Sequence, residues 1–189
     1  MGGAGHATRI LTSNDRNHLI GIDRDPLAIQ VARERLHTFA PRITLRHGTF
    51  AEILTEINEN SQDGILMDLG VSSPQLDIGE RGFSFQKDGP LDMRMNSESG
   101  LTASEWLDQI TETELANVLY RYGEEPRSRR IAKAIIRGRP WTSTLALAEC
   151  IQTSSGYRNS RTHPATRSFQ AIRIAVNEEL LQLEQAMPL

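Results

Sequence analysis

The sequence predicts an open α/β sheet domain interrupted by a small all-helical segment, and three observations carry that expectation. Short apolar runs alternate with helix patterns over the first third of the chain: His18-Leu-Ile-Gly-Ile-Asp23, Ile43-Thr-Leu-Arg-His47 and Gly64-Ile-Leu-Met-Asp68. Strands spaced by helices imply a parallel sheet with right-handed crossovers. Residues of about 100–162 carry no strand signal and four helix patterns. From Pro164 onward, Phe169, Ile172, Val176, Leu180, Leu183 and Met187 recur every three or four residues, the stripe of one long helix expected to pack back on the sheet.

Taken in order, Gly5 to Leu11 opens a first helix directly behind a glycine turn. The run ending at Asp23 is the first strand. Asp25-Pro26 then offers an N-cap with proline at the first helical position, and Leu27, Ala28, Val31, Ala32, Leu36 and Phe39 give the next helix its apolar face. Ile43–His47 reads as a second strand, Phe50–Asn58 as a helix and Gly64–Asp68 as a third strand. The helical segment is expected around Ser104–Asp108, Glu112–Tyr122, Ser128–Arg137 and Thr144–Thr153. In the third of these, Ile131, Ala132, Ile135 and Ile136 stand beside Arg129, Arg130, Lys133 and Arg137, so one face can bury while another stays basic.

Composition narrows the function. With 189 residues, 38% hydrophobic and 24% charged, the chain suits one soluble globular domain, or one domain with an insertion. No apolar run approaches membrane-spanning length, and no secretory leader pattern opens the chain. The single cysteine, Cys150, cannot form an internal disulfide, which fits a reducing cytoplasm, and it reads as a small residue buried on a helix. No metal site is expected. Net charge is −3, yet residues 121–173 hold eleven Lys/Arg against three acids, a local excess of +8. A basic lobe on an acidic body suggests a polyanion approached from one side.

Three constellations carry chemistry. Gly2-Gly-Ala-Gly-His6 before a helix lets a backbone approach a ligand closely and offers free N–H groups, although it lacks the third glycine of a dinucleotide fingerprint. Asp23, at a strand end, can accept both ribose hydroxyls of an adenosine group. Both nicotinamide and S-adenosylmethionine enzymes place an acid there, so this feature alone fits either. Phe50 could pack on an adenine ring or belong to the core. Asp68-Leu-Gly-Val-Ser-Ser-Pro-Gln75 follows a strand and runs into a Gly/Ser/Pro loop, where ligands sit in open α/β sheets. Phe83 and Phe85 are candidates for a stacking face or for loop packing.

The run DLGVSSPQLD, followed by Arg81-Gly-Phe-Ser-Phe85 and Asp88-Gly-Pro-Leu-Asp-Met-Arg-Met95, resembles the bacterial 16S rRNA (cytosine-N4)-methyltransferase family. The likeness continues through Gly21-Ile-Asp-Arg-Asp-Pro26, His47-Gly-Thr-Phe50, Tyr122-Gly-Glu-Glu125, Ser128–Ile135, His163–Arg173 and Val176–Leu180. It implies a Rossmann-like, S-adenosylmethionine-dependent methyltransferase sheet with an inserted helical substrate-recognition domain. Residues 1–99 and 164–189 would form the cofactor-binding part and 100–163 the insertion. By position, cofactor contacts fall on Ala4, Gly5, His6, Asp23, Phe50, Asp68 and Gln75. Ala4 to His6 would hold the methionine end, Asp23 the ribose, Phe50 the adenine side, and Asp68 with Gln75 the sulfonium end. The group that orients the cytosine amine is open among Asp68, Ser72, Ser73 and the carbonyl before Pro74, because amino-methyltransferases often use two prolines and an aromatic here. Arg129, Arg130, Lys133 and Arg137 would meet 16S rRNA of the small ribosomal subunit, in the cytoplasm. The family pattern also has a strand before the glycine turn and further strands after the last helix. The sheet is therefore expected to be incomplete and the chain truncated at both ends, with a catalytically silent RNA-binding fragment as the alternative reading.

Overall fold

The computed structural model describes residues 1–157 and 162–188; Arg158 and Arg161 of the basic region lie outside them. Packing divides the chain into two units, one of Met1–Pro74, Met95–Ser97 and Leu180–Leu189, the other of Gln75–Arg94 and Glu98–Glu179.

In the first unit, Ala4 takes a left-handed backbone (φ 61°) and α1 (Gly5–Ser13) starts behind it. Strand β1 (Leu19–Asp23) leads into α2 (Pro26–Arg35), whose N-cap is Asp25, accepting the Leu27 N–H at 3.0 Å with Pro26 in the first turn. The Asp25-Pro26 reading therefore holds. A 3₁₀ segment (His37–Arg42) delivers the chain to β2 (Ile43–His47), which pairs with β1 in parallel, Leu19 opposite Ile43 and Asp23 opposite His47. Ala4, Ala7, Leu11, Ala32 and Leu36 form a small buried cluster between helices and strands, with Leu19, Phe39, Ile43 and Leu45 around it.

Two expectations fail in this unit. Helix α3 covers Phe50–Leu54 only, closed at its start by a Thr49–Glu52 capping box. Beyond it the Glu56 and Ile57 N–H groups reach back three residues, to Ile53 and Leu54, and Asn60 turns left-handed, so the helix tightens and stops. The Gly64–Asp68 segment forms no strand. Among the described residues the sheet has two strands, and Ile65 and Leu66 are 68% and 63% exposed. An apolar run states a wish to be buried, whereas a strand needs a neighbour to take its peptide groups.

The second unit begins in the short helix α4 (Ser73–Asp77) and is otherwise helical: α5 (Ala103–Gln109), α6 (Glu112–Gly123), α7 (Ser128–Arg137), α8 (Thr144–Ser155) and α9 (Thr166–Val176). Helices α5 and α6 each start with a capping box, Thr102–Glu105 and Thr111–Glu114. A threonine cap is worth about 1 kcal/mol. Helix α7 buries Ile131, Ala132 and Ile135 completely and leaves its basic residues in solvent. Burying an isoleucine contributes about 2–3 kcal/mol, so this face fixes which side of α7 stays outside. Cys150 is half-buried on α8, and burial pushes its thiol pKa up, as a structural cysteine requires.

The long terminal helix is two helices. Helix α9 ends at Val176, Asn177 caps it, Glu178 turns left-handed (φ 50°), and α10 runs over Glu179–Ala186. Asn177 is buried and its amide donates to the carbonyls of Met93 (2.7 Å) and Arg173 (2.9 Å). Arg173 then pairs with Glu179 across the break at 2.7 Å. Helix α9 packs on α6 and α5, and Leu180 and Met187 are exposed at 42% and 70%. The α6–α9 crossing is tight: a Cβ on Gly123 would lie 2.4 Å from the Arg167 carbonyl oxygen and 3.1 Å from the Ala171 Cβ.

The segment Lys87–Arg94 ties the helical unit together. Asp88 Oδ1 accepts from the Ser143 hydroxyl (2.6 Å), the Leu145 N–H (3.2 Å) and the Gly89 N–H (2.9 Å). The Ala103 and Ser104 N–H groups at the start of α5 donate to the Asp92 and Leu91 carbonyls. Arg94 grips the Asp92 carboxylate with two nitrogens at 2.8 Å each. Burial alone would raise the Asp92 pKa, but the hydrogen bonds and charge of Arg94 outweigh it and hold the group below the usual carboxylate range.

Two outcomes are expected. Gly123→Ala should force α6 and α9 apart and cost about 1–3 kcal/mol in urea unfolding; a loss under about 0.5 kcal/mol would show that the crossing relaxes freely. A carboxylate with a depressed folded pKa stabilises above its unfolded value near 4 and loses that contribution as pH falls through the folded value. The urea midpoint should accordingly fall between about pH 5 and pH 3, less steeply in Asp92→Asn. Equal slopes in the two proteins would remove Asp92 from the account.

Candidate functional site

The glycine turn and the ends of the strands bring several expected residues together in the first unit. The Ala4 N–H closes a turn on the Met1 carbonyl at 2.8 Å, and the Ala4 side chain is buried, so any ligand contact from Ala4 comes from its backbone. Helix α1 has no side-chain cap, and the N–H groups of Gly5, His6 and Ala7 take no partner among the described residues. A Cβ on Gly5 would meet nothing within 4 Å. Open space thus stands before an uncapped helix start, where donors and dipole favour an anion such as a carboxylate.

Asp23 ends β1 with its carboxylate turned to this turn. Its Oδ2 accepts the Gly2 N–H (3.1 Å) and its Oδ1 the Asp25 N–H (2.9 Å). A carboxylate has about four lone-pair positions, so a diol here would share Asp23 with the Gly2 turn or displace it. His6 and Asp68, distant in sequence, meet at 3.2 Å between Nδ1 and Oδ2, with both side chains 67% exposed. Ser72 lies close to the turn as well, since a Cβ on Gly2 would stand 3.3 Å from the Ser72 Cβ. A narrow crevice joins Gly2, Asp25, Val31, Ser72 and Pro74. Phe50 is half-buried at the start of α3, just past the end of β2. Ser73 is exposed as the first residue of α4, and Gln75, on the same helix, is buried at 5% exposure in the second unit.

The donor set suits S-adenosylmethionine chemically: open N–H groups for a carboxylate, an acid at a strand end for ribose hydroxyls, and a second acid beside the turn for a sulfonium charge. Phe83 and Phe85 are packing residues. Phe83 is buried with the Arg81 guanidinium 5.7 Å from its ring centre, and Phe85 meets His163 at 4.6 Å and the edge of Phe169 at 4.8 Å.

In the second unit, Arg129, Arg130, Lys133 and Arg137 all lie exposed on α7, opposite its buried isoleucines. Among the described residues none of the four forms an ion pair. Sequence reasoning missed Glu125, which is fully buried between this helix and α6. Its Oε1 accepts from the Arg127 N–H and the Tyr157 hydroxyl, both at 2.9 Å, while Oε2 has no partner among the described residues. An acid kept inside the most basic stretch of the chain was the available signal.

Comparison with known proteins fits these features. A sequence model of the MraW methylase family matches residues 1–189. The chain is 52% identical to a protein of Xylella fastidiosa (strain M12) named "Ribosomal RNA small subunit methyltransferase H", over 97% of this chain and 61% of that protein. A protein of the same name from Acinetobacter baumannii (strain SDF) is 50% identical, over 100% of this chain and 62% of its own length. The chain thus spans about three fifths of the length of these relatives. The family is one of S-adenosylmethionine-dependent rRNA methyltransferases. With a family match over its whole length, the chain belongs to the MraW methylase family.

Proposed function

We propose that this chain carries the cofactor site and an RNA-facing helical surface of an enzyme that methylates the N4 amino group of a cytidine in 16S rRNA. The observation that carries the reading is the convergence of the open α1 N-terminus, Asp23 and the His6–Asp68 contact at one end of the sheet. Residues 1–99 with 164–189 would be the family's cofactor-binding part and 100–163 its substrate-recognition insertion. Packing units and insertion boundaries differ where a helix such as α9 settles on inserted neighbours. Such an enzyme works on the small ribosomal subunit, in the cytoplasm. Among the described residues no helix is long and apolar enough to cross a membrane.

In this reading, Ala4 to His6 hold the methionine end, the N–H groups of Gly5 and His6 donating to its carboxylate, Asp23 accepts the ribose hydroxyls, and Phe50 covers one side of the adenine. Asp68 and Gln75 face the sulfonium end, with His6 steadying the Asp68 carboxylate. Held by these residues, the cofactor would supply an electrophilic methyl group for N4. Cytosine N4 is a poor nucleophile because its lone pair is delocalised into the ring. Acceptors on the amino hydrogens turn it toward tetrahedral geometry, and Asp68, Ser72, Ser73 and the Ser73 carbonyl are the groups offered for that work. Arg129, Arg130, Lys133 and Arg137 bind phosphates and hold the RNA without reading its bases.

A second reading, an RNA-binding chain without turnover, draws on the exposed basic face of α7, which needs no cofactor. Calorimetric titration of S-adenosylhomocysteine separates the two. Saturable binding by the unsubstituted chain, weakened at least about tenfold in Asp23→Ala, is expected, a difference of about 1.4 kcal/mol. A chain that melts cooperatively yet shows no binding would sink the cofactor assignment and leave RNA binding alone. Replacing both Lys133 and Arg137 with Gln should lower the slope of log affinity against log salt by about 1–2 for single-stranded RNA. An unchanged slope would take α7 out of the RNA interface.

A further inference from the structure

We propose that Arg127 and Arg130 form a preorganised clamp for one RNA phosphate at the junction of α7 and α8, with Glu125 and Tyr157 as its positioning residues. The proposal rests on the RNA-directed part of the function above and adds a defined anchor to it. Helix α8 ends at Ser155 and Gly156 follows with a left-handed backbone (φ 68°). At the place a Cβ on Gly156 would occupy, an Arg127 terminal nitrogen stands 3.1 Å away and an Arg130 terminal nitrogen 3.2 Å away. Two guanidiniums are thus near neighbours over a residue that has no side chain to part them.

Like charges side by side repel, and nothing in a folding argument puts them there for free. Each must be held. The Arg127 guanidinium donates to the Ser155 carbonyl, at the negative end of α8, and lies 4.1 Å from the centre of the Tyr157 ring. The Tyr157 hydroxyl donates to Glu125 Oε1 at 2.9 Å, and the Arg127 backbone N–H donates to the same oxygen. Burial and the Glu125 carboxylate push the Tyr157 pKa above its ordinary value, so the phenol stays an O–H donor. Glu125 is itself fully buried, so this arrangement is rigid from below. Arg130, by contrast, is exposed and has no hydrogen-bond or ion-pair partner among the described residues.

A held guanidinium beside an unengaged one, with donors in a planar fork, matches the oxygens of a phosphodiester. An anion between them would relieve the repulsion and use the idle donors of Arg130. The site also continues the basic face of α7, since Lys133 and Arg137 follow Arg130 at three and seven residues. No acid of α7 interrupts this row.

The test is binding of fluorescein-labelled polyuridylate RNA to the full chain across a salt series, without cofactor. Arg130→Gln should weaken binding about fivefold and reduce the salt slope by about 1, while Arg121→Gln, an exposed arginine of α6 outside the clamp, should change affinity less than about twofold. Tyr157→Phe should weaken RNA binding on its own, and Arg130→Gln should cost less in that background than alone. Equal effects of Arg130→Gln and Arg121→Gln would overturn the clamp. Full additivity of Tyr157→Phe and Arg130→Gln would overturn the positioning role. S-adenosylhomocysteine titration of Arg130→Gln should match the unsubstituted chain, so RNA binding left unweakened by Arg130→Gln with cofactor binding intact counts against the clamp alone. Intact RNA binding without cofactor binding counts against the cofactor site alone.

Discussion

Every helix start leaves backbone N–H groups that need partners, and in the helical unit two of those starts lean on one loop. Lys87–Arg94 gives Asp88 to the first turn of α8 and the carbonyls of Leu91 and Asp92 to the first turn of α5. The Met93 carbonyl also receives the Asn177 amide, which places the end of α9. Space in the loop is as restricted as its bonding: a Cβ on Gly89 would stand 2.2 Å from the Gly79 carbonyl oxygen. A segment that the sequence offered only as part of a family motif is the staple of its unit. The exposed basic face of α7 depends on it, because that face is defined by what the packed helices bury.

What the sequence revealed follows the range of the forces involved. Helices α5 to α8 were legible to within one or two residues because their signals are local: threonine caps, glutamates three residues on, and apolar residues at helical spacing. Asp25 was legible as a cap for the same reason. The Gly64–Asp68 strand and the continuous last helix were not. A strand is a pairing, and its partner is invisible from within the run. Helix α9 stops because Asn177 bonds a carbonyl 84 positions earlier in the chain, which no periodicity encodes.

The site divides in the same way. Asp23 stood out because an acid at a strand end is a local pattern, and the glycine turn because glycines are conspicuous. The His6–Asp68 contact is a long-range product of folding. Glu125 was hidden by charge arithmetic, which counted it as one acid subtracted from a basic region, whereas its position makes it a support for the arginines around it.

The stretch from Gly64 to Leu69 has a consequence for how the first unit breathes. No backbone hydrogen bond joins these residues to the rest of the described chain, and the outer edge of β1 carries no ladder. Their amides are shielded by neither sheet nor burial, so hydrogen–deuterium exchange there follows local chemistry and ignores global stability. Any partner strand that settled on this run would gain main-chain bonds and cover Ile65 and Leu66 in a single event. Order at Asp68 would then be coupled to the arrival of that strand.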